Sequence, residues 1–242
     1  MPRAHVYGQV AAEETGELED FCDGDNQEFT LEDLPALPTP NYREMRTEAM
    51  TGCTVVLSMI FLLVGFTRSF VLGSGLLPAR VYLAVYILIH SEALIALICL
   101  AGILCGDPGV IKRSNDTCFP LPEEVADCLR QGKSVEHMQN LRREDSKSFC
   151  VRCLVWRPKE SHHCKTCGRC VRDFDHHCGV FGRCIAGNGF RGNMGYFKVI
   201  IGMLFAGFAT CAFSSIFSEA SAEHKPRHRG AAHRRRKPGQ GG

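Results

Sequence analysis

The chain has 242 residues, of which 45% are hydrophobic and 22% charged, and its formal net charge is +2. These averages mislead, because the apolar residues are concentrated in three stretches that lack charged side chains almost entirely. Fourteen cysteines are many for this length, and seven of them lie between positions 150 and 184 with four of the ten histidines. Such clustering argues against a disulfide framework spread over a secreted domain.

The first 48 residues are predicted to form a disordered, acidic arm. Residues 13–33 contain ten acidic side chains and no Lys or Arg, and a proline-rich segment, 35–40, follows them. The first residues are polar, so we expect no secretory signal peptide. Residues 23–26 resemble the start of a calcium loop, but the sixth position lacks the required glycine, so no calcium site is expected.

Three apolar stretches are long enough to cross a membrane, since a helix rises ~1.5 Å per residue and the hydrocarbon layer is ~30 Å thick. The first, 49–67, has no charged residue, and the second, 81–106, has one acid, Glu92. We expect Glu92 to lie at a helix contact. The third, 199–218, is rich in small residues. A buried soluble helix is the alternative for any one stretch, but three together predict an α-helical integral membrane protein.

These spans divide the chain into further parts. Residues 49–106 would hold two transmembrane helices and a short loop, and 199–218 the third helix. Residues 107–198 are polar and would form one folded domain, with its core at 150–197. The basic tail, 219–242, is predicted to be disordered; it could contact anionic lipid or be simply solvated. Nucleic-acid binding is not expected of a membrane protein's tail.

A ladder of cysteines and histidines lies in the polar domain. It reads Cys150-x2-Cys153-x9-His163-Cys164-x2-Cys167-x2-Cys170-x4-Asp175-His176-His177-Cys178-x5-Cys184. In a C-x-x-C turn both sulfur atoms can bind one ion at the ~2.3 Å Zn–S distance. A single pair would be weak, because redox pairs look the same. Three pairs with histidines between them predict zinc.

Counting the ligands suggests a reactive thiol. Two zinc ions need eight of the eleven cysteines and histidines, and two sites of three Cys and one His would leave one Cys and two His. A spare Cys beside a spare His is what a Cys–His nucleophile requires. The alternatives are a single ion with inert remaining residues, or a thiol that merely packs. Counting does not identify the spare Cys, but Asp175 and His176 precede Cys178, and an acid can orient an imidazole that takes the thiol proton.

At this point the chain resembles a known family. The run Asp175-His176-His177-Cys178 inside this ladder resembles the DHHC protein S-acyltransferases, or palmitoyltransferases. The resemblance covers the ladder spacing for spacing. It extends to Asp107-Pro108-Gly109 after the second span and to the order of the spans. It therefore implies a membrane protein with a small, loop-rich, double-zinc cytosolic domain between spans.

The resemblance also implies a role for each ladder residue. The first zinc would be bound by Cys150, Cys153, His163 and Cys170, and the second by Cys164, Cys167, His177 and Cys184. Cys178 would be the nucleophile, His176 its base, and Asp175 the residue that orients His176. Cys178 would take a fatty acyl group from palmitoyl-CoA and pass it to a membrane-proximal cysteine of a protein substrate. The spans could line an apolar site for the acyl chain in the lipid bilayer.

The expected location follows from the same chemistry. The cytosol keeps thiols reduced, as zinc ligands must be. By the resemblance, it also supplies acyl-CoA. We therefore expect the cysteine-rich loop to face the cytosol, in the endoplasmic reticulum, Golgi or plasma membrane.

Several positions depart from the family pattern. Gly179-Val180 stand where the family has Pro-Trp, and Arg183 stands where it has Asn. The family's Asn-x3-Phe element, here Asn193 to Phe197, comes four residues late. We count three spans, whereas the family has at least four, and the family's Thr-Thr-x-Glu motif is missing. These two differences predict a product shortened by splicing or by an incomplete gene model. A genuinely short form, or a third stretch that re-enters the membrane, is the alternative.

Three other functions remain open. One is a membrane-anchored zinc module that recruits proteins, which would need eight ligands and no nucleophile. Another is a catalytically impaired fragment of an acyltransferase, which the missing span favours. The third, a thiol–disulfide enzyme, would not require three C-x-x-C pairs in a metal-like ladder.

Overall fold

The structure is a computed structural model that describes residues 29–142 and 147–223. In these ranges the chain forms three long helices and, between the second and third, a small domain of short strands and helices. The predictions for the arm before residue 29, for residues 23–26 and for the tail from residue 224 lie outside the described residues.

The three long helices are α1 (Tyr42–Phe66), α2 (Ala79–Cys105) and α5 (Met194–Glu223), and a π-helical turn, Thr67–Leu72, follows α1. All three are long and apolar enough to cross a membrane. Their outward faces carry large apolar side chains that water would not favour: Phe61 is 77% exposed and Phe213 is 76% exposed. The prediction of an α-helical membrane protein is therefore confirmed.

The helices are longer than the apolar stretches. Helix α1 begins at Tyr42, so residues 42–48 belong to the helix and not to the arm in which the sequence placed them. Asn41 caps it, because its side chain accepts a hydrogen bond from the Glu44 backbone N–H at 3.2 Å. Helix α5 likewise extends beyond 199–218 at both ends. Hydrophobicity marks where a helix can enter hydrocarbon, whereas capping decides where it starts.

Polar and small residues join the three helices. The Thr210 hydroxyl on α5 donates a hydrogen bond to Glu92 Oε1 on α2 at 2.8 Å, so Glu92 lies at a helix contact, as expected. On the α1 side, a Cβ at Gly207 would come within 2.9 Å of Leu63. The small residues of α5 therefore allow close approach, as they do in membrane helix pairs.

The domain between α2 and α5 consists of short elements. Two short helices come first, α3 (Asn115–Cys118) and α4 (Glu123–Arg130). Seven strands follow: β1 (Leu141–Arg142), β2 (Ser148–Cys150), β3 (Val155–Arg157), β4 (His162–Cys164), β5 (Arg169–Val171), β6 (Phe174–Cys178) and β7 (Arg183–Ala186). Strands β1–β2–β3 form an antiparallel sheet, and β4–β5 and β6–β7 form two hairpins. Phe149, Leu154 and Val155 are buried in its core. A short 3-10 turn, Gly189–Arg191, leads into α5.

The Asp-Pro-Gly segment connects α2 to this domain. Asp107 Oδ1 accepts hydrogen bonds from the backbone N–H groups of Gly109 and Val110, both at 2.9 Å. Val110 then pairs with Val171 of β5 through an isolated bridge. The turn therefore fixes the small domain to the end of a membrane helix.

Candidate functional site

Each of two hairpins places one ladder histidine opposite a cysteine. In β4–β5 His163 is the partner of Cys170, and in β6–β7 His177 is the partner of Cys184. Facing residues of an antiparallel pair lie ~5 Å apart, so each hairpin brings one imidazole and one thiol together. The remaining thiols of the two clusters come from the C-x-x-C pairs.

The first metal cluster consists of Cys150, Cys153, His163 and Cys170. Their ligand atoms lie within 4.8 Å of one another and all four side chains are buried. The Sγ of Cys153 is 3.2 Å and that of Cys170 3.8 Å from His163 Nδ1. The structure thus brings together the first ligand set that the family resemblance implied.

The second metal cluster consists of Cys164, Cys167, His177 and Cys184, again within 4.8 Å. The Sγ atoms of Cys164 and Cys167 are each 3.4 Å from His177 Nδ1. The Sγ of Cys184 is 3.4 Å from that of Cys167. Both clusters could hold a metal ion, and in each of them three sulfur atoms converge with one imidazole rather than in disulfide pairs.

In the first cluster the surroundings favour the thiolate of Cys150, the metal-binding form of cysteine. Hydrogen bonds from the thiols of Cys153 and Cys170 hold the pKa of Cys150 well below its ordinary value, against the opposing effect of burial. Burial disfavours the His163 imidazolium, but hydrogen bonds to Cys150 and Cys153 raise the pKa of His163 to about 9. In the second cluster two neighbouring thiols lower the pKa of Cys164 in the same way.

Cys178 lies on the opposite side of strand β6 from the second metal cluster. Successive side chains of a strand point to opposite faces, so His177 points to the metal cluster while His176 and Cys178 share the other face. Cys178 is only 8% exposed and packs against apolar residues of α2 and α5. The alternation of one strand therefore places a thiol against the membrane helices.

A cavity of about 270 Å³ lies between the three long helices, and Cys178 forms part of its wall. Its lining is almost wholly apolar and includes Val56, Ile60, Leu63, Ala96, Ile200 and Leu204. Glu92 is the polar exception, and its Oε2 has no hydrogen-bond partner among the described residues. A cavity of this character can accommodate an aliphatic chain beside a thiol.

His176 is held by an acid and by an aromatic ring. Its Nδ1 lies 2.7 Å from Asp175 Oδ2, and its ring contacts that of Phe197 edge to face at 5.5 Å. No hydrogen bond joins His176 to Cys178 in the described part of the chain. Contacts of this kind often form only when substrate binds. The geometry thus contains an oriented imidazole on the same strand face as the thiol.

Sequence reasoning missed one residue at this site. His177 Nε2 lies 3.1 Å from Glu48 Oε2 on α1, and both side chains are at most one-fifth exposed. The sequence placed Glu48 in the arm because it precedes the apolar stretch. Its position one residue before the predicted span marks it as an acid at the end of a membrane helix, but no local pattern indicates His177 as its partner.

Two residues that depart from the family pattern, Arg183 and Val180, lie against the membrane helices. Arg183 Nη2 donates a hydrogen bond to the carbonyl of Gly106 at 3.0 Å, which ties β7 to the end of α2. The backbone at Val180 approaches α1 so closely that a Cβ on Gly52 would lie 2.6 Å from its carbonyl oxygen. The loop after Cys178 therefore rests directly on the membrane helices.

Comparison with known proteins identifies this arrangement. Residues 143–233 match the family model of the DHHC palmitoyltransferase. The chain carries a DHHC palmitoyltransferase domain. This confirms the resemblance of the cysteine-rich domain to the DHHC family.

Individual relatives agree with that assignment. The chain is 34% identical over 84 residues to the palmitoyltransferase Hip14 of Drosophila melanogaster, covering 35% of this chain and 12% of the relative. It is 32% identical over 98 residues to ZDHHC17 of Danio rerio, covering 40% and 14%. It is 28% identical over 162 residues to ZDHHC3-A of Danio rerio, covering 64% and 46%. The chain thus spans less than half the length of each of these relatives.

Proposed function

We propose that this DHHC chain is a protein S-palmitoyltransferase whose acyl carrier is Cys178. The observation that carries the proposal is the position of this thiol in the wall of an apolar cavity between membrane helices. A metal ligand, His177, immediately precedes it. Acyl transfer needs a nucleophile, a base and an apolar site for the chain, and Cys178, His176 and the cavity supply them.

The two metal clusters would each hold one zinc ion. Three thiols and one imidazole are the donor set of structural zinc, and four ligand atoms within 4.8 Å suit a tetrahedral ion. When bound, zinc cross-links the hairpins and supplies no reactive group. Cys150, Cys153, His163 and Cys170 would hold one ion, and Cys164, Cys167, His177 and Cys184 the other.

The reaction would proceed in two transfers. His176 accepts the proton of the Cys178 thiol, and Asp175 orients the imidazole and stabilises its charged form. The thiolate attacks the thioester carbonyl of palmitoyl-CoA, the bond from that carbonyl to the CoA sulfur breaks, and CoA leaves as a thiol with the proton. His176, neutral again, then accepts the proton of a substrate cysteine thiol, and the resulting thiolate attacks the acyl carbonyl. The bond from that carbonyl to Cys178 Sγ breaks, and Cys178 regains its thiol with the proton from His176.

This chemistry sets the partners and the location. The acyl donor is a fatty acyl-CoA, and the acceptor is a cysteine close to the membrane in another protein. The domain between α2 and α5 would face the cytosol, because thiols stay reduced in the cytosol. The membrane would be that of the endoplasmic reticulum, the Golgi or the cell surface.

Acyl labelling tests the proposal directly. Purified full-length chain in detergent is incubated with an alkyne analogue of palmitoyl-CoA, and we expect label that hydroxylamine removes. Cys178→Ser should abolish the label and keep the wild-type zinc content. Cys105→Ser, at the exposed end of α2, should keep both.

Two outcomes would contradict the proposal. Label that persists in Cys178→Ser would assign the nucleophile to another cysteine. Zinc-loaded wild-type protein that takes no label would instead favour a zinc-binding interaction module or an impaired acyltransferase.

A further inference from the structure

Glu48, which lies outside the ladder on helix α1, contacts the ladder residue His177. Its Oε2 lies 3.1 Å from His177 Nε2, and the two side chains are 20% and 16% exposed. Exposed ion pairs contribute little, but this pair is largely withdrawn from water. The contact joins α1 to β6, two elements that are 129 residues apart in sequence.

The two nitrogens of His177 face different partners. Nδ1 faces the sulfur atoms of Cys164 and Cys167 at 3.4 Å, and Nε2 faces the Glu48 carboxylate. An imidazole that binds metal through Nδ1 carries its proton on Nε2, so Nε2 can donate to an acceptor. A carboxylate acceptor fixes the tautomer and ring orientation of a metal-bound histidine and makes it a stronger ligand.

The loop after Cys178 leaves room for this contact. A Cβ at Gly179 would lie 3.3 Å from Glu48 Oε1, so a larger residue would press on the carboxylate. One turn earlier on α1, the backbone of Met45 lies directly against Gly182, whose φ is +62°. The first turns of α1 therefore rest on the Cys178–Gly182 loop along its length.

We infer that Glu48 is a positioning residue for the second metal cluster. It holds His177 in the metal-binding tautomer and thereby fixes the strand that carries Cys178 to the cytosolic end of α1. The inference rests on the proposed zinc binding, and it concerns the second cluster alone.

The two clusters provide an internal control for the test. Zinc-loaded full-length protein is mixed with excess chelator and a colorimetric zinc indicator, and release from the two sites is followed over time. Cys150→Ala, which lacks the first site, identifies the phase that belongs to the second. In Glu48→Leu we expect second-site release about 10- to 100-fold faster and first-site release unchanged. Glu48→Gln keeps an acceptor oxygen and should show a smaller change.

Glu44→Gln is the matched control, because Glu44 lies one turn away on the same helix and is exposed. It should release both ions as the wild type does. If Glu48→Leu also leaves both rates at wild type, Glu48 does not position the ligand and the inference falls. If the wild type binds no zinc, the proposed metal binding fails first, which is a distinguishable result.

A double-mutant comparison separates positioning from general packing. His177→Cys keeps a zinc ligand but removes the imidazole that Glu48 contacts. In that background Glu48→Leu should no longer change second-site release. An undiminished effect would mean that Glu48 acts through the fold of α1 rather than through His177, and would overturn the inference.

Discussion

The side chain of Asn193 completes the backbone hydrogen bonding around Cys184. Its Nδ2 donates to the Cys184 carbonyl at 2.7 Å, and its Oδ1 accepts from the Ala186 N–H at 2.9 Å. Asn193 is fully buried. One carboxamide thus joins the start of α5 to the strand that supplies the last thiol of the second metal cluster.

Replacing Asn193 should loosen that cluster. Asn193→Ala leaves a buried carbonyl and a buried N–H without partners, and we expect a loss of about 2–3 kcal/mol in the free energy of unfolding. Thermal unfolding in detergent measures it, together with zinc retention. Asn188→Ala, at an exposed position, should change neither. Equal stability of the two variants would contradict the assigned role.

Substitutions at two glycines allow the energetic cost of backbone strain to be compared with that of strain plus a steric clash. Gly182 and Gly189 both have φ of +62°, but a Cβ at Gly182 would lie directly against the Met45 carbonyl, whereas one at Gly189 meets nothing within 4 Å. Gly189→Ala should cost about 1–2 kcal/mol from the left-handed backbone alone. Gly182→Ala should cost roughly 1–3 kcal/mol more, since α1 must shift. Matching melting temperatures for the two variants would show that α1 does not rest on this loop.

Metal analysis should give close to two equivalents of zinc in the wild type. Cys150→Ala and Cys164→Ala should each lose one equivalent and loosen the hairpin that contributed ligands to the lost ion, because metal binding and folding are coupled. Cys128→Ala, a half-buried cysteine of α4 outside both clusters, should retain both ions. A wild-type content near one equivalent would rule out the two-site proposal.

Asp107 should contribute a pH-dependent increment of stability. Burial favours its uncharged form, but hydrogen bonds from the N–H groups of Val110 and Gly109, with Lys112 and Arg183 nearby, hold the pKa of Asp107 below its ordinary value. A depressed pKa stabilises the fold above the unfolded-state pKa of about 4, and this contribution is lost as the pH falls through the lower pKa of the folded state.

The difference in melting temperature between wild type and Asp107→Asn measures this increment. We expect the wild type to be the more stable at neutral pH and the difference to narrow below about pH 4. If the difference in melting temperature grew on acidification, the folded state would not be lowering the pKa of Asp107.

The orientation of the chain can be tested with sealed microsomes. We expect added protease to cut the segment before α1 and the domain between α2 and α5, because two spans return the chain to the cytosolic side. If α5 crosses the membrane, a tag after residue 242 should be protected. Protection of the domain instead would place it in the lumen, away from acyl-CoA. Cleavage of both domain and tag would mean that α5 does not cross.

The membrane helices and both ligand sets could be predicted because their signals are local. Charge-free length marks a span, and the C-x-x-C spacing predicts zinc. The family resemblance, rather than the spacing by itself, implied which residues form each ligand set. The face that Cys178 occupies was not predicted, since it follows from pairing in β6–β7 and not from a motif. Glu48 was missed for a related reason: its partner His177 is 129 residues away, and no local pattern encodes a contact of that range.

The start of α1 shows a different limit. Hydrophobicity placed the beginning at residue 49, where the chain becomes apolar, but Asn41 caps a helix that begins at Tyr42. Residues 42–48, which belong to the helix although they are mostly polar, include Glu48, the acid that contacts His177 of the second metal cluster. The contact between Gly182 and the Met45 backbone also joins residues far apart in sequence, so no local pattern indicates it.

Placing His177 and Cys178 on opposite faces of a single strand holds the thiol between the second metal cluster and apolar residues of the membrane helices. Under the proposed function an acceptor protein must therefore bring its cysteine to that position, whatever its sequence. A cysteine tethered too far from the lipid surface cannot descend to the thiol, however reactive it is. Moving a cysteine outward along a tethered peptide should therefore end its modification abruptly rather than gradually.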